Sequence, residues 1–259
     1  MANAESVVLI PSYERIRSGG ASPRSIQEFL AMGFMPIGLN GWDDHFQGDT
    51  LHGGYQSTAS GAASVAAAIS TGAVGGAILL DAGTDNGGRS DLSLGLHYTA
   101  QRNAVIWARV QLSAIGSVKC EIGFTDVISG TDAGAVNVKA TPTFNANDFV
   151  GWVIDTTNNA NWEGMGVAAT VAATTLAAGI SHTAATYEWM GVALAEDGKA
   201  KFMRLTANGR KTYESAWQNA FVTEDTLLTP WVFVQNRSAA NRTCLIDRLL
   251  VYQRDYASN

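Results

Sequence analysis

The sequence predicts an all-β protein in which two antiparallel sheets pack face to face as a sandwich. Hydrophobic residues occupy every second position in several segments, among them 92–98, 106–112 and 118–124, and this spacing is typical of strands with one buried face. Asp-Gly and Asn-Gly turns separate further strand-like segments near the C-terminus. The chain has 259 residues, of which only 15% are charged and 27 are glycine, and this composition disfavours long surface helices.

Residues 1–41 differ from the rest of the chain and predict an extended arm that carries one short helix. Ser22 and Pro23 form a helix-start signal, and the apolar residues that follow recur with helical spacing, so we expect a helix over residues 23–32. A segment of this length cannot enclose a core of its own, and its apolar side chains therefore need another surface to pack on. The predicted anchor residues are Ile26, Phe29, Leu30, Phe34 and Ile37.

Residues 42–259 form the predicted sandwich, with roughly a dozen strands at the spacing that β sandwiches show. An Asp-Gly turn at 197–198 and an Asn-Gly turn at 208–209 separate three strand-like segments, which predicts a three-stranded meander. Segments 57–70 and 166–180 are rich in Ala, Ser and Thr, and such small side chains suit close contact with another layer or with a second subunit. We therefore expect a homo-oligomer.

Charge and hydropathy exclude two classes of partner. The formal net charge is -6, from 17 Lys and Arg against 23 Asp and Glu, so no basic surface for phosphate contacts with nucleic acid is expected. The uncharged stretch 51–80 contains too much Gly, Ser and Thr to span a membrane as a helix. Cys120 and Cys244 alternate with apolar neighbours, which favours two buried free thiols and leaves a bridge between packed sheets open.

The sequence indicates no catalytic site, and we expect a protein without enzymatic activity. A Gly-x-Ser-x-Gly nucleophile turn is absent, and no strand places two acids at i and i+2 on a face that suits glycoside hydrolysis. Lys119 and Glu121 alternate with apolar residues and are interpreted as an ordinary pair on a solvent-facing side. Most tryptophans lie inside strand-like segments, where a core position is the more frequent role.

No cofactor is expected from the sequence. The four histidines show no spacing typical of metal ligands. His45 and His52 lie among aspartates, in a segment that we interpret as a solvated loop. The Gly-rich segment with Asp81, Asp85 and Asp91 offers carboxylate oxygens of the kind that bind calcium, but it lacks the spacing and the closing Glu of the helix-loop-helix type. A calcium ion near these three residues is the alternative to a plain turn.

Several short motifs resemble those of concanavalin A-like and laminin-G-like jelly rolls. In the C-terminal third they are the segments 200–205, 208–209, 228–230 and 246–251, which combine strands with an Asn-Gly turn, a Leu-x-Pro step and an Ile-Asp-x-hydrophobic strand. The segment 42–46 resembles the Asp-Asp-x-Phe opening of such modules. The resemblance covers the predicted sandwich over residues 42–259, here called the body, and implies a jelly roll. The Glu-x-Asp-x-x-Glu strand of laminarinase-type hydrolases is missing, so catalysis does not follow from the resemblance.

Jelly-roll modules of this charge-poor, Ala/Gly/Thr-rich composition are similar to virion proteins of tailed bacteriophages. The resemblance implies a capsid decoration protein on the outer surface of the particle, made in the cytoplasm of the bacterial host. Its expected partner is the major capsid protein or another virion protein, and family habit favours a trimer. The segment 1–41 has no net charge, so the whole of the -6 lies on the body, as expected for an anchor and a displayed domain.

The alternative function is a glycan-binding tail or head-fibre adhesin module that contacts the host surface. Aromatic rings stack on sugar rings, and the predicted stacking residues are Trp162, Trp189 and Trp217. Exposure of these rings beside Asp or Asn favours this alternative, whereas burial removes it.

Overall fold

A computed structural model describes residues 39–73, 75–127 and 134–254 of the chain. This part contains strands and no helix. No segment of the described residues forms a helix that is long and apolar enough to cross a membrane. The helix predicted over residues 23–32 lies outside the described residues. The predicted anchor residues also lie outside them: Ile26, Phe29, Leu30, Phe34 and Ile37.

The described part of the chain forms strands β1 to β18. The first strand begins at Leu39, slightly before the predicted start of the sandwich at residue 42. In chain order the strands are β1 (Leu39–Asp44), β2 (Ala59–Ser60), β3 (Val65–Ile69), β4 (Ile78–Asp81), β5 (Arg89–Ser93), β6 (Val105–Leu112), β7 (Val118–Thr125), β8 (Val136–Val138), β9 (Thr143–Phe144), β10 (Phe149–Asp155), β11 (Asn159–Ala168), β12 (Val171–Ala172), β13 (Leu176–Ser181), β14 (Glu188–Leu194), β15 (Ala200–Thr206), β16 (Lys211–Glu214), β17 (Thr229–Asn236) and β18 (Thr243–Arg254).

Two eight-stranded antiparallel sheets contain most of these strands. Sheet A has the order β16-β15-β14-β6-β18-β4-β3, and β1 also pairs with β18. Sheet B has the order β12-β11-β10-β7-β17-β5-β2, and β13 also pairs with β11. The predicted sandwich of two antiparallel sheets is therefore confirmed. The predicted meander is confirmed as well, because β14, β15 and β16 are consecutive neighbours in sheet A.

The main core lies between the two sheets and follows the alternation that the sequence shows. Trp152 of β10 donates its indole N–H across this core to the carbonyl of Gly191 on β14, at 3.0 Å, and so links the sheets. Cys120 and Cys244, one on each sheet, are fully buried in the same core as free thiols, as the sequence favours. Burial and the hydrogen bond with Cys244 raise the pKa of the Cys120 thiol.

Segment 134–146 covers the outer face of sheet B, which points away from the main core. All eight residues of β7 are buried, although their pattern predicts one exposed face. Val136 and Ala146 of the covering segment belong to a second apolar cluster with Trp231 and Phe233 on the outer face of the sheet. Sheet B therefore has packed side chains on both of its faces.

Lys119 and Glu121 form a buried ion pair in this second layer, which corrects their interpretation as a solvent-facing pair. Their ammonium and carboxylate groups lie 2.8 Å apart, and both side chains are 0% exposed. The Glu121 carboxylate also accepts hydrogen bonds from the backbone N–H groups of Ala135 and Val136, at 2.9 and 3.0 Å. The Trp231 indole donates to it at 2.9 Å. Burial lowers the pKa of Lys119, and the Glu121 carboxylate opposes this effect.

The two segments of small residues lie at sheet edges. Strand β3, from segment 57–70, is an edge strand of sheet A. Strands β12 and β13, from segment 166–180, lie beside β11 at an edge of sheet B. Register shifts interrupt both the β3–β4 and the β11–β13 pairing, which agrees with the weak register that small side chains specify. The homo-oligomer and the trimer stay predictions.

An ion pair joins two elements at one end of sheet B, where β10 ends at Asp155. Arg237, which follows β17, donates to the Asp155 carboxylate through Nε at 3.2 Å and through Nη2. The Asp155 side chain is only 3% exposed. Burial by itself raises the pKa of Asp155, but the hydrogen bonds and the charge of Arg237 outweigh burial, so the pKa lies below its ordinary value.

Replacing Glu121 by Ala should destabilise the protein by about 3–5 kcal/mol, because it leaves Lys119 as a buried charge without its partner. Urea unfolding followed by tryptophan fluorescence measures the change. Lys199→Ala removes an exposed ion pair with Asp197 and is the control, with an expected cost below about 1 kcal/mol. Equal losses in the two variants would contradict the importance of the buried pair.

The free energy of unfolding should decrease as the pH falls below about 4, and Asp155→Asn should make this decrease less steep. A carboxyl whose pKa is lower in the folded than in the unfolded state stabilises the fold at neutral pH. This contribution is lost as the pH falls through the folded-state pKa. Denaturant unfolding in buffers from neutral to acidic pH measures both slopes. Identical slopes would show that the Arg237 contact leaves the pKa of Asp155 unchanged.

Candidate functional site

The long strand β18 exchanges its neighbour in the middle of sheet A. Residues 243–246 pair with β4, whereas residues 249–254 pair with β1. On the other side of β18, the register with β6 shifts between Ile246 and Arg248, so Asp247 is the extra residue of a β-bulge. Bulges redirect side chains and interrupt pairing. Here the bulge coincides with the gap between β4 and β1, and this gap is the starting point of the candidate site.

Asp247 forms an ion pair with Arg109, which projects from β6. The guanidinium carbon of Arg109 also lies 4.4 Å from the centroid of the Tyr187 ring, just before β14. Burial and the nearby Asp247 carboxylate raise the pKa of Tyr187. All three side chains are partly exposed, so an aromatic ring, a cation and a carboxylate reach the solvent at one place.

The connection between β3 and β4 forms a wall of the site, and we call its described residues, Ser70–Ala73 and Gly75–Ala77, the glycine loop. Gly72 and Gly76 have φ angles of +90° and +89°, a region that glycine adopts at low cost. A Cβ atom on Gly76 would overlap the backbone carbonyl of Phe46. The glycine loop therefore packs directly on the chain that follows β1.

These elements surround a shallow cavity of about 440 Å³, which we call the Asp247 cavity. Its surface combines one aromatic ring, one guanidinium, one carboxylate and two hydroxyl side chains. A concave site with a few polar groups beside an aromatic ring is typical of small-ligand binding. The lining residues are Ser70, Thr71, Gly72, Ala73, Gly76, Arg109, Tyr187, Leu245 and Asp247.

The three tryptophans predicted to stack on sugars lie elsewhere. Trp162 is fully buried in the main core, where it meets the His182 ring edge to face. Trp189 is 5% exposed within an apolar cluster on the outer face of sheet A. Neither ring has a face free for a sugar, which corrects their predicted role. Trp217 packs half-buried against that cluster, with its ring centroid 5.9 Å from Lys201 Nζ, and its role stays a prediction.

The carboxylates next to two of these tryptophans are held by structural contacts. Glu188 accepts hydrogen bonds from Arg204 and lies 2.8 Å from His182 Nδ1. Burial by itself raises the pKa of Glu188. The contacts with His182 and Arg204 lower this pKa by more than burial raises it, so the net shift is downward. A general acid needs the opposite shift. Glu163 Oε1 lies 3.6 Å from Lys139 Nζ and accepts a hydrogen bond from Asn159.

The aspartates considered for calcium accept hydrogen bonds within the protein. Asp81 Oδ1 and Asp85 Oδ2 accept backbone N–H bonds of 2.8 and 2.6 Å. Asp91 accepts bonds from the backbone N–H and the hydroxyl of Thr58. Over the described ranges, no group of three or more His, Cys, Asp or Glu side chains is placed to hold a metal ion. The expectation of no cofactor stays a prediction, with a calcium ion near Asp81, Asp85 and Asp91 as its alternative.

Sequence reasoning did not single out Arg109, Tyr187 or Asp247 as site residues. A signal for one of them exists, because Asp247 interrupts the apolar run of the last strand and such an interruption can mark a bulge. No comparable signal shows that Arg109 and Tyr187, which are distant in sequence, come to lie beside it.

No protein family matches the sequence, and no curated protein matches it. Solved structures are similar in fold. A protein of unknown function from Shewanella oneidensis MR-1 is 14% identical, with a TM-score of 0.63 over 92% of this chain and 98% of that one. Peanut lectin, solved with a peptide, is 11% identical, with a TM-score of 0.54 over 83% of this chain and 97% of its own.

The catalytic domain of an endo-1,3-β-glucanase (laminarinase) from Thermotoga petrophila RKU-1 is 10% identical, with a TM-score of 0.50 over 83% of this chain and 97% of that domain. None of these three structures is described as a virion protein, so the virion role gains no support from them. At these identities the likeness establishes the fold alone. The chain has a concanavalin A-like jelly-roll fold of the kind that lectins and glucanases share.

Proposed function

We propose that this protein is a carbohydrate-binding module without hydrolytic activity, and that the Asp247 cavity is its glycan site. The observation that carries the proposal is the partly exposed group of Tyr187, Arg109 and Asp247 in a concave surface. The similarity in fold to a lectin supports it as an analogy.

The three side chains have complementary roles in this proposal. The exposed part of the Tyr187 ring packs against the C–H face of a pyranose, as aromatic rings do with apolar surfaces. Arg109 is held by both Tyr187 and Asp247, so its N–H groups meet sugar hydroxyls with little loss of side-chain freedom. The remaining acceptor sites of the Asp247 carboxylate bind hydroxyl hydrogens.

The absence of hydrolysis is proposed from the placement of the carboxylates. Canonical glycoside hydrolysis uses two acids that flank one cleft. Among the described residues that line the Asp247 cavity, Asp247 is the acid. Glu121 and Glu188 are buried in ion pairs, and segment 134–146 packs over the face of sheet B that carries Glu121.

The virion location and the capsid partner also remain proposals, and they rest on the composition and the short motifs of the sequence. The trimer remains a proposal that rests on the habit of the family that the sequence resembles. A head-fibre or tail adhesin would combine a virion location with the glycan site proposed here. In that case the body would present the Asp247 cavity to the host surface.

Tyr187→Ala should weaken glycan binding at least about fivefold, since removing a central aromatic contact costs more than about 1 kcal/mol. Tyr187→Phe keeps the ring and should bind more tightly than Tyr187→Ala. The measurement is a screen of the full chain on a glycan array, followed by isothermal titration calorimetry with the best-bound glycan. Release of reducing ends from that glycan should not exceed the rate without protein.

Trp217→Ala is the matched aromatic control, because Trp217 also lies at the outer face of sheet A but does not line the Asp247 cavity. It should leave affinity unchanged, with circular dichroism confirming that each variant is folded. Loss of binding in Trp217→Ala, with wild-type binding in Tyr187→Ala, would move the site to Trp217. Failure of every glycan to bind would overturn the proposed function.

A further inference from the structure

A second cavity adjoins the Asp247 cavity across the glycine loop. Its volume is about 710 Å³, and we call it the Asp49 cavity. The chain after β1 forms one side of it with Gln47, Gly48 and Asp49, and the glycine loop forms the other. The two cavities share five lining residues, so one continuous surface joins them. The shared residues are Ser70, Thr71, Gly72, Ala73 and Gly76.

The surface shared by the two cavities includes Gly72, which has no side chain to separate them. A Cβ atom on Gly72 would meet no atom within 4 Å, and the same holds for Gly75. The space beside Gly72 and Gly75 is therefore open. An extended ligand can pass from one cavity to the other beside Gly72.

The Asp49 cavity presents hydrogen-bonding side chains that the protein itself leaves unused. Gln47, Asp49 and Thr71 are exposed, and among the described residues none of their side-chain polar atoms has a hydrogen-bond or ion-pair partner. Ser70, half-buried at the junction of the cavities, likewise has a free hydroxyl. Amide, carboxylate and hydroxyl groups together match a ligand with many hydroxyl groups.

The charges favour a neutral ligand over an acidic one. The two cavities contain one cationic side chain, Arg109, and two carboxylates, Asp247 and Asp49. Arg109 is already paired with Asp247. An anionic sugar would thus meet Arg109, whose charge Asp247 already balances, and the negative carboxylate of Asp49. Repulsion by Asp49 would weaken its binding.

We propose that the two cavities form one extended site for a linear neutral oligosaccharide, with one end at Tyr187 and the other at Gln47 and Asp49. This inference rests on the proposed function and adds the length and the charge of the ligand. It predicts recognition of a chain segment over both cavities, in contrast to recognition of a single terminal sugar.

The test measures affinity by titration calorimetry against cello-, laminari-, xylo- and malto-oligosaccharides, each from disaccharide to hexasaccharide. Oligogalacturonides serve as acidic comparators. In the series that binds, affinity should rise with length and then level off. Gln47→Ala and Asp49→Asn should each weaken the longer oligosaccharides about 3–10-fold and leave the disaccharide unchanged. Thr50→Ala changes an exposed neighbour that lines neither cavity, and should have no effect.

The outcomes separate this inference from the proposed function. If Tyr187→Ala weakens all lengths equally while chain length and the Gln47 and Asp49 variants have no effect, the extended site is overturned and the Asp247 cavity stands. Tighter binding of the oligogalacturonides than of every neutral series overturns the neutral ligand class. Absence of binding to every saccharide overturns the extended site together with the proposed function.

Discussion

The pairing of β18 is the constraint on which the rest of the molecule depends. This 12-residue strand pairs with β6 along one side and with both β4 and β1 along the other. The last described strand, β18, thereby pairs directly with the first, β1, in one sheet. Because two short strands share one edge of a longer one, a gap between them is unavoidable, and the bulge at Asp247 lies opposite that gap. The candidate site is thus a product of sheet topology as much as of residue type.

The parts of the fold that follow from local patterns could be predicted from the sequence. Alternation identified most long strands, and the turns at 197–198 and 208–209 identified the meander. The burial of Lys119 and Glu121 could not be predicted in this way. Alternation shows that two side chains share a face, but it does not show that a distant segment will cover that face. Only the fold brings residues 134–136 over Glu121.

The residues of the candidate site could not be predicted from local patterns either. The sequence favours tryptophans as the residues that stack on sugars, but the rings of Trp162 and Trp189 are buried and pack within apolar clusters. The aromatic residue that reaches the cavity is Tyr187, at the end of a loop. Arg109 contacts both Tyr187 and Asp247, and so links β6, β18 and the loop that precedes β14. Such a contact leaves no spacing pattern in the sequence.

The two buried thiols have a practical consequence for the dynamics of the sandwich. Cys120 belongs to sheet B and Cys244 to sheet A, and both are 0% exposed. A thiol reagent can reach them only when the packing between the sheets opens, so labelling rates report that opening without any introduced probe. Since each sheet carries one thiol, the order of labelling tells whether the two halves of the core become accessible together or one after the other.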